Sequence, residues 1–368
     1  MEDRDFSFGM SEEQRTMKET VGRLAKSVVS DSTHDMDEKR AIPTEFIQKV
    51  WDLGATISAI PEEFGGYGME YSPLMNTIIL EELAFCDMSL AIAATLPSTF
   101  MFPILEMGTD EQKKKYIPLY CDATYKPCTV AINEPRFKFD AISLETKAEK
   151  KGNAYVLNGK KCFVPMAKDA GHMLVAANLD GAMNLFIVAK DNPGLKIGER
   201  EKNIGMYALE TYGVTLENCE VPASDRLGGE QGCDYARFLQ KSRTAISAIG
   251  TGISRASFEY ARDYSKERQQ FGEPIAFRQA IAFMIAEMAY EVDAMRLMTW
   301  KAASALEAGR DAKRESYLSK LYAGEMTMKI TDYGVQILGG HGFIRDHPVE
   351  RYYRNGRGIA VLEGMATV

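Results

Sequence analysis

The chain has 368 residues, too many for one compact core, so its length favours two or three domains. Hydrophobic residues make up 45% and charged residues 26%, the composition of a globular chain and not of a disordered or fibrous one. A net charge of -8 without a basic run argues against nucleic acid as a partner, and no segment has the apolar length that crossing a bilayer requires.

The opening Met1-Glu2-Asp3-Arg4-Asp5 is charged and lacks an apolar core followed by a cleavage site, so the expected location is the cytoplasm. Six cysteines (Cys86, Cys121, Cys128, Cys162, Cys219, Cys233) are scattered with no C-x-x-C pair, which disfavours a disulfide framework and a zinc site. The four histidines (His34, His172, His341, His347) lack ligand spacing, so no metal is expected.

Residues 1–125 are predicted to form an N-terminal α-helical domain. Ser11-x-x-Gln14 and Thr109-x-x-Gln112 fit capping boxes ahead of apolar-periodic segments. Pro61 to Gly68 holds three glycines in its last four residues and lacks the Lys-Ser/Thr of a phosphate loop, so it is expected to be a structural turn.

Over 126–230 the period changes to two, which predicts a middle antiparallel barrel or sandwich. Ala154–Leu157 and Lys161–Val164 flank Asn158-Gly159, a hairpin signal, and a second hairpin joins His172–Ala177 to Met183–Ala189 across Asp180-Gly181. Tyr212–Val221 adds a further strand.

Residues 231–368 return to helical spacing and are predicted to form a C-terminal α-helical domain. Ile281, Met284, Met288, Val292, Met295 and Met298 make one core-facing stripe, and a second long helix is expected from Lys313 to Leu338, closed by Gly339-Gly340.

No G-x-G-x-x-G after a strand, Walker sequence, G-x-S-x-G elbow or H-E-x-x-H occurs, which removes several common enzyme classes. One acid stands out. Glu363 follows the apolar run Ala360-Val361-Leu362 and precedes Gly364, so it is either a partly buried carboxyl with a raised pKa suited to a general base or an exposed acid.

The order of elements combines with several phrases: Ile60-Pro-Glu-Glu-Phe-Gly-Gly66, Gly108-Thr-Asp-Glu-Gln-Lys-Lys-Lys-Tyr116, Glu134-Pro135, Leu157-Asn-Gly-Lys-Lys161, Glu267-Arg-Gln-Gln-Phe-Gly272, Gln336-Ile-Leu-Gly-Gly340 and Leu362-Glu-Gly364. Over nearly its whole length the chain resembles the acyl-CoA dehydrogenases. The resemblance implies an α+β fold, with an N-terminal helical domain, a middle β-barrel domain and a C-terminal helical bundle. It also implies a homotetramer, or a heterotetramer, with FAD between subunits. The implied reaction is α,β-desaturation of an acyl-CoA thioester: Glu363 removes the α-proton, its backbone N–H polarises the thioester carbonyl, and the β-hydrogen leaves as hydride to the flavin. An electron-transfer flavoprotein is the implied acceptor. The other base position of the family is Ser242 here, whose hydroxyl cannot serve as a base.

By the same resemblance Arg268, Phe271, Gln336, Gly339 and Gly340 match positions that hold the adenosine and pyrophosphate for a neighbouring subunit. Ile132, Asn133, Phe163 and Pro165 match the flavin-ring side, and Phe139, Ser242, Arg243, Leu362 and Gly364 match the substrate side. The ring side departs from the family pattern. Where T-E-P-x-A-G-S-D is usual the chain has Asn133 to Asp140, with Arg136, Phe137, Lys138 and Phe139 inside it, and W-[IV]-[TS] is replaced by Phe163-Val164-Pro165. Pro165 offers neither N–H nor hydroxyl, whereas Phe163 can still stack. Gly364-Met365 stands where a glycine and a hydroxyl residue are usual, and the family's final helix with one more flavin contact lies beyond Val368. Arg136 and Lys138 either bind a CoA phosphate or acidic acyl terminus, or belong to a solvated loop. Two other readings stay open: a lyase or other thioester enzyme using Glu363 without net oxidation, and a subunit that completes the flavin site of a different partner.

Overall fold

The computed structural model describes residues 9–29 and 32–368, and the charged Met1–Asp5 stretch lies outside them. Seven α-helices come first: α1 Glu12–Val29, α2 Thr33–Lys39, α3 Thr44–Trp51, α4 Pro73–Cys86, α5 Met88–Thr95, α6 Ser98–Met107 and α7 Asp110–Tyr120. Both expected capping boxes form, with reciprocal bonds between Ser11 and Gln14 and between Thr109 and Gln112. Helices α4 to α6 are apolar on nearly every face and form the middle of this unit. The turn from Pro61 to Gly68 is structural. Gly65 takes a φ of 97°, and a Cβ on Gly66 would lie 2.0 Å from the Ile60 carbonyl oxygen.

Strands β1 Thr129–Ala131, β2 Lys147–Lys151, β3 Ala154–Pro165, β4 His172–Leu179, β5 Ala182–Ala189, β6 Leu195–Arg200 and β7 Thr211–Pro222 make one sheet in the order β1-β4-β2-β3-β7-β6, with β5 paired to β4. Asp180-Gly181 forms the expected hairpin, and both residues adopt positive φ. Asn158-Gly159 does not form the other one. It lies inside the continuous strand β3 at a shift of register against β7. Gly159 is needed there because a Cβ would fall 2.5 Å from the Thr146 hydroxyl, so close approach of chains, not turn formation, explains the glycine. The turn sits instead at Gly152-Asn153, where Lys151 pairs with Ala154. The sheet is also mixed: β1 runs parallel to β4, which the strand pattern did not reveal.

The chain then returns to helices: α8 Tyr235–Glu267, a short ribbon β8 Gln269–Gln270 and β9 Glu273–Pro274, α9 Gln279–Glu307, α10 Lys313–Leu338, α11 Gly340–Phe343, α12 Val349–Gly356 and α13 Gly358–Val361. Met288, Val292 and Met295 of the α9 stripe are buried, and α10 has the expected bounds. Helices α8 and α10 lie side by side and parallel. Contacts 77 residues apart recur, from Gly250 with Thr327 of α10 to Tyr264 with His341 of α11. Small residues permit the closeness, since a Cβ on Gly250 would meet the Thr327 hydroxyl at 3.1 Å. No single helix among the described residues is long and apolar enough to cross a membrane.

Candidate active site

Glu363 lies where α8, α10 and the segment after α13 converge. Its side chain is 10% exposed, and Oε1 meets Lys320 Nζ at 2.7 Å and Arg243 Nε at 3.3 Å. The parallel register explains this pair of cations, because the same offset that aligns Gly250 with Thr327 sets Arg243 level with Lys320. Oε2 is buried and has no hydrogen-bond partner. Burial pulls the Lys320 ammonium below the usual lysine range, and the Glu363 carboxylate opposes that fall. Arg243, Tyr317, Lys320, Gly324, Arg357 and Glu363 are among the residues around a cavity of about 320 Å³. The sequence placed Arg243 and Glu363 here but missed Lys320. The signal was available in the helical spacing of Tyr317, Lys320, Leu321 and Gly324, which puts them on one face of α10.

The backbone around Glu363 is fixed from two sides. Its N–H donates to Asn133 Oδ1 at 3.0 Å, and Asn133 Nδ2 donates to the Val361 carbonyl at 3.0 Å. The Gly364 N–H donates to the Ser242 hydroxyl at 2.9 Å. Gly364 has a φ of 81°, and a Cβ on it would lie 2.5 Å from Ile132 Cδ1. Thus Ile132, Asn133, Ser242, Leu362 and Gly364, predicted from separate parts of the chain, all meet at the carboxylate's backbone. The N–H expected to polarise a thioester is held by Asn133.

On the other side of the Val361-Leu362 step is a smaller slot of about 140 Å³, lined by Phe163, Asn203, Met206, Arg357, Val361 and Leu362, among others. Phe163 is held at a φ of 53°, with its N–H on the Glu201 carboxylate. Pro165 is buried in β3, where its carbonyl accepts from the Thr129 hydroxyl. Phe139 is half-buried against the main core, whereas Phe137 is 90% exposed and crowds nothing. Arg136 turns inward to Glu134 and to the Ser143 carbonyl. Glu134 also pairs with the fully buried Lys161 at 2.9 Å. Arg136 is therefore tied into the loop, and Lys138 is exposed beside it.

Arg268, Phe271, Gln336, Gly339 and Gly340 are all exposed and gather at the opposite end of the paired helices, where Tyr264 bonds His341 at 2.9 Å. Most of the 33-residue α8 separates Arg268 from Arg243, roughly 37 Å at about 1.5 Å per residue. The two groups of predicted residues cannot serve one small ligand site in the same chain.

A helical unit, a curled sheet and a second helical unit, converging on a carboxylate withdrawn from water, define an α+β scaffold of three parts. Three family models match it in order: acyl-CoA dehydrogenase, N-terminal domain, over residues 11–124; acyl-CoA dehydrogenase, middle domain, over 129–219; and acyl-CoA dehydrogenase, C-terminal domain, over 231–368. The chain is 32% identical over 366 residues to the short/branched chain specific acyl-CoA dehydrogenase of Bos taurus, covering 97% of this chain and 84% of that one. It superposes on butyryl-CoA dehydrogenase from Megasphaera elsdenii with a TM-score of 0.88 at 28% identity, covering 98% and 96% of the two chains. A chain from a structure of the electron transferring flavoprotein of Acidaminococcus fermentans gives 0.88 at 30% identity, with the same coverage. The chain belongs to the acyl-CoA dehydrogenase family and is an oxidoreductase of that family.

Proposed function

We propose that this chain desaturates an acyl-CoA thioester between Cα and Cβ, with Glu363 as the base and FAD as the cofactor. The observation that carries this reading is a buried carboxylate with one oxygen free, bordering a cavity of about 320 Å³. The α C–H gives its proton to Glu363, the β C–H leaves as hydride, and the two bonding pairs become the new double bond and the departing hydride. FAD, when bound, supplies the hydride acceptor.

The residues present fit a flavin. The slot beside Leu362 has an aromatic wall in Phe163 and apolar walls in Met206 and Val361, with Asn203 and Arg357 as polar groups, a lining suited to part of a planar heterocycle. Ile132, Asn133, Phe163 and Pro165 would border the ring. Arg268, Phe271, Gln336, Gly339 and Gly340 would hold the adenosine and pyrophosphate of a second copy's FAD, which their distance from Glu363 in one chain supports. Phe139, Ser242, Arg243, Leu362 and Gly364 would border the thioester, whose carbonyl would take the Glu363 N–H when Asn133 yields it.

This reading includes a homotetramer, which accounts for the exposure of Phe271 (92%), Phe343 (86%) and Phe277 (72%). It keeps division into units at 1–125, 126–230 and 231–368, an electron-transfer flavoprotein as acceptor, and a cytoplasmic location consistent with six free cysteines. The test is a visible spectrum of the purified protein before and after anaerobic addition of an acyl-CoA panel. A flavin band bleached by one thioester is expected. Turnover of acyl-CoA by colourless protein would overturn the oxidative reading in favour of lyase-type chemistry.

A further inference from the structure

Lys320 matches no motif that the sequence offered, yet it makes the shortest contact to Glu363. We propose that Lys320 is a positioning residue which, together with Arg243, ties down one carboxylate oxygen of Glu363 and leaves the other as the proton acceptor. This rests on Glu363 being the base.

Three observations point this way. Both cations converge on the same atom, Oε1, from two different helices, so the carboxylate is gripped at one end only. Oε2 is buried without a partner, so it is the oxygen left to accept a proton. The side chains of Lys320, Arg243 and Glu363 are 12%, 14% and 10% exposed, so the grip is protected from solvent and salt.

The charged and titratable groups facing Glu363 are Arg243 and Tyr235 from α8, Tyr317, Lys320 and Glu325 from α10, and Arg357 at the start of α13. Removing Lys320 leaves the carboxylate only the longer contact to Arg243. It is then free to turn Oε2 away from the substrate. A lysine that merely braced α10 would change thermal stability without slowing proton removal by the folded protein.

The experiment follows exchange of acyl-CoA α-protons with D2O by the full-length protein. Lys320→Met and Lys320→Arg are compared with the parent. Lys320→Gln replaces the Met variant should circular dichroism show that it does not fold. Rates are read on the high-pH plateau of each variant's pH profile. A loss of about tenfold in Lys320→Met, recovered by Lys320→Arg, supports the positioning role, and equal exchange rates sink it. Undiminished exchange in Glu363→Gln would instead remove Glu363 as the base, a distinct result.

Discussion

Asn133 and Glu363 lie 230 residues apart in sequence, yet the Asn133 carboxamide accepts the Glu363 N–H while donating to the Val361 carbonyl. One side chain thereby fastens the loop after β1 to the segment that bears the base. Asn133→Ala strands both backbone groups, and a loss of about 1–3 kcal/mol in urea unfolding is expected. It also frees the N–H for a thioester carbonyl, so acyl-CoA should bind the folded variant more tightly in calorimetry. Weaker binding at full occupancy of the folded state would refute that competition.

Glu363→Gln keeps the shape and removes the basic oxygen. Turnover is expected to fall by roughly 10²–10⁴-fold, the range for loss of a general base. Circular dichroism should remain native, although Arg243 and Lys320 then lack a counter-charge. Activity within a factor of a few of the parent would show that another group removes the proton.

Gly364 serves two requirements at once, a φ of 81° and contact with Ile132. Gly364→Ala meets both a strained backbone and a side chain only 2.5 Å away. A melting temperature several degrees lower, with acyl-CoA turnover reduced alongside it, is the expected outcome. A variant as stable as the parent would mean that the loop can shift at little cost.

His172 accepts or shares a hydrogen bond with the Tyr120 hydroxyl at 2.7 Å, and burial lowers its pKa below the usual 6.5. The unfolded chain therefore binds more protons than the folded one between that lowered value and 6.5, and stability is lost as pH falls through this window. In His172→Gln the unfolding midpoint should vary less between pH 7 and pH 5 than in the parent. Identical slopes would exclude His172 as a source of the acid sensitivity.

Burial raises every thiol: Cys86 and Cys162 to about 12, Cys121, Cys219 and Cys233 to about 11, and Cys128 well above the usual thiol range. Little thiolate exists at pH 8, so native protein should react slowly with a thiol reagent and release six equivalents only when unfolded. A fast stoichiometric reaction in the native state would show that one site opens.

What was legible beforehand was local. Helical spacing set the bounds of α10, hydroxyl and amide residues at three-residue spacing set both capping boxes, and Asp180-Gly181 set a hairpin, because each depends on residues adjacent in the chain. The apolar run before Glu363 left burial and exposure both open, and the structure buries the side chain. Asn158-Gly159 misled, since its glycine answers to Thr146, just ahead of β2, and not to a turn. The parallel pairing of β1 with β4 was also out of reach, as strand alternation carries no direction. Above all, the sequence determined that a carboxylate stands at position 363, while only the tertiary structure decided its company. Lys320 and Arg243 reach it through the parallel packing of α8 and α10, and Asn133 through the approach of the sheet to the C-terminal segment. Those neighbours come from long-range contacts between elements, and no period or motif along a single chain encodes the distance between two helices.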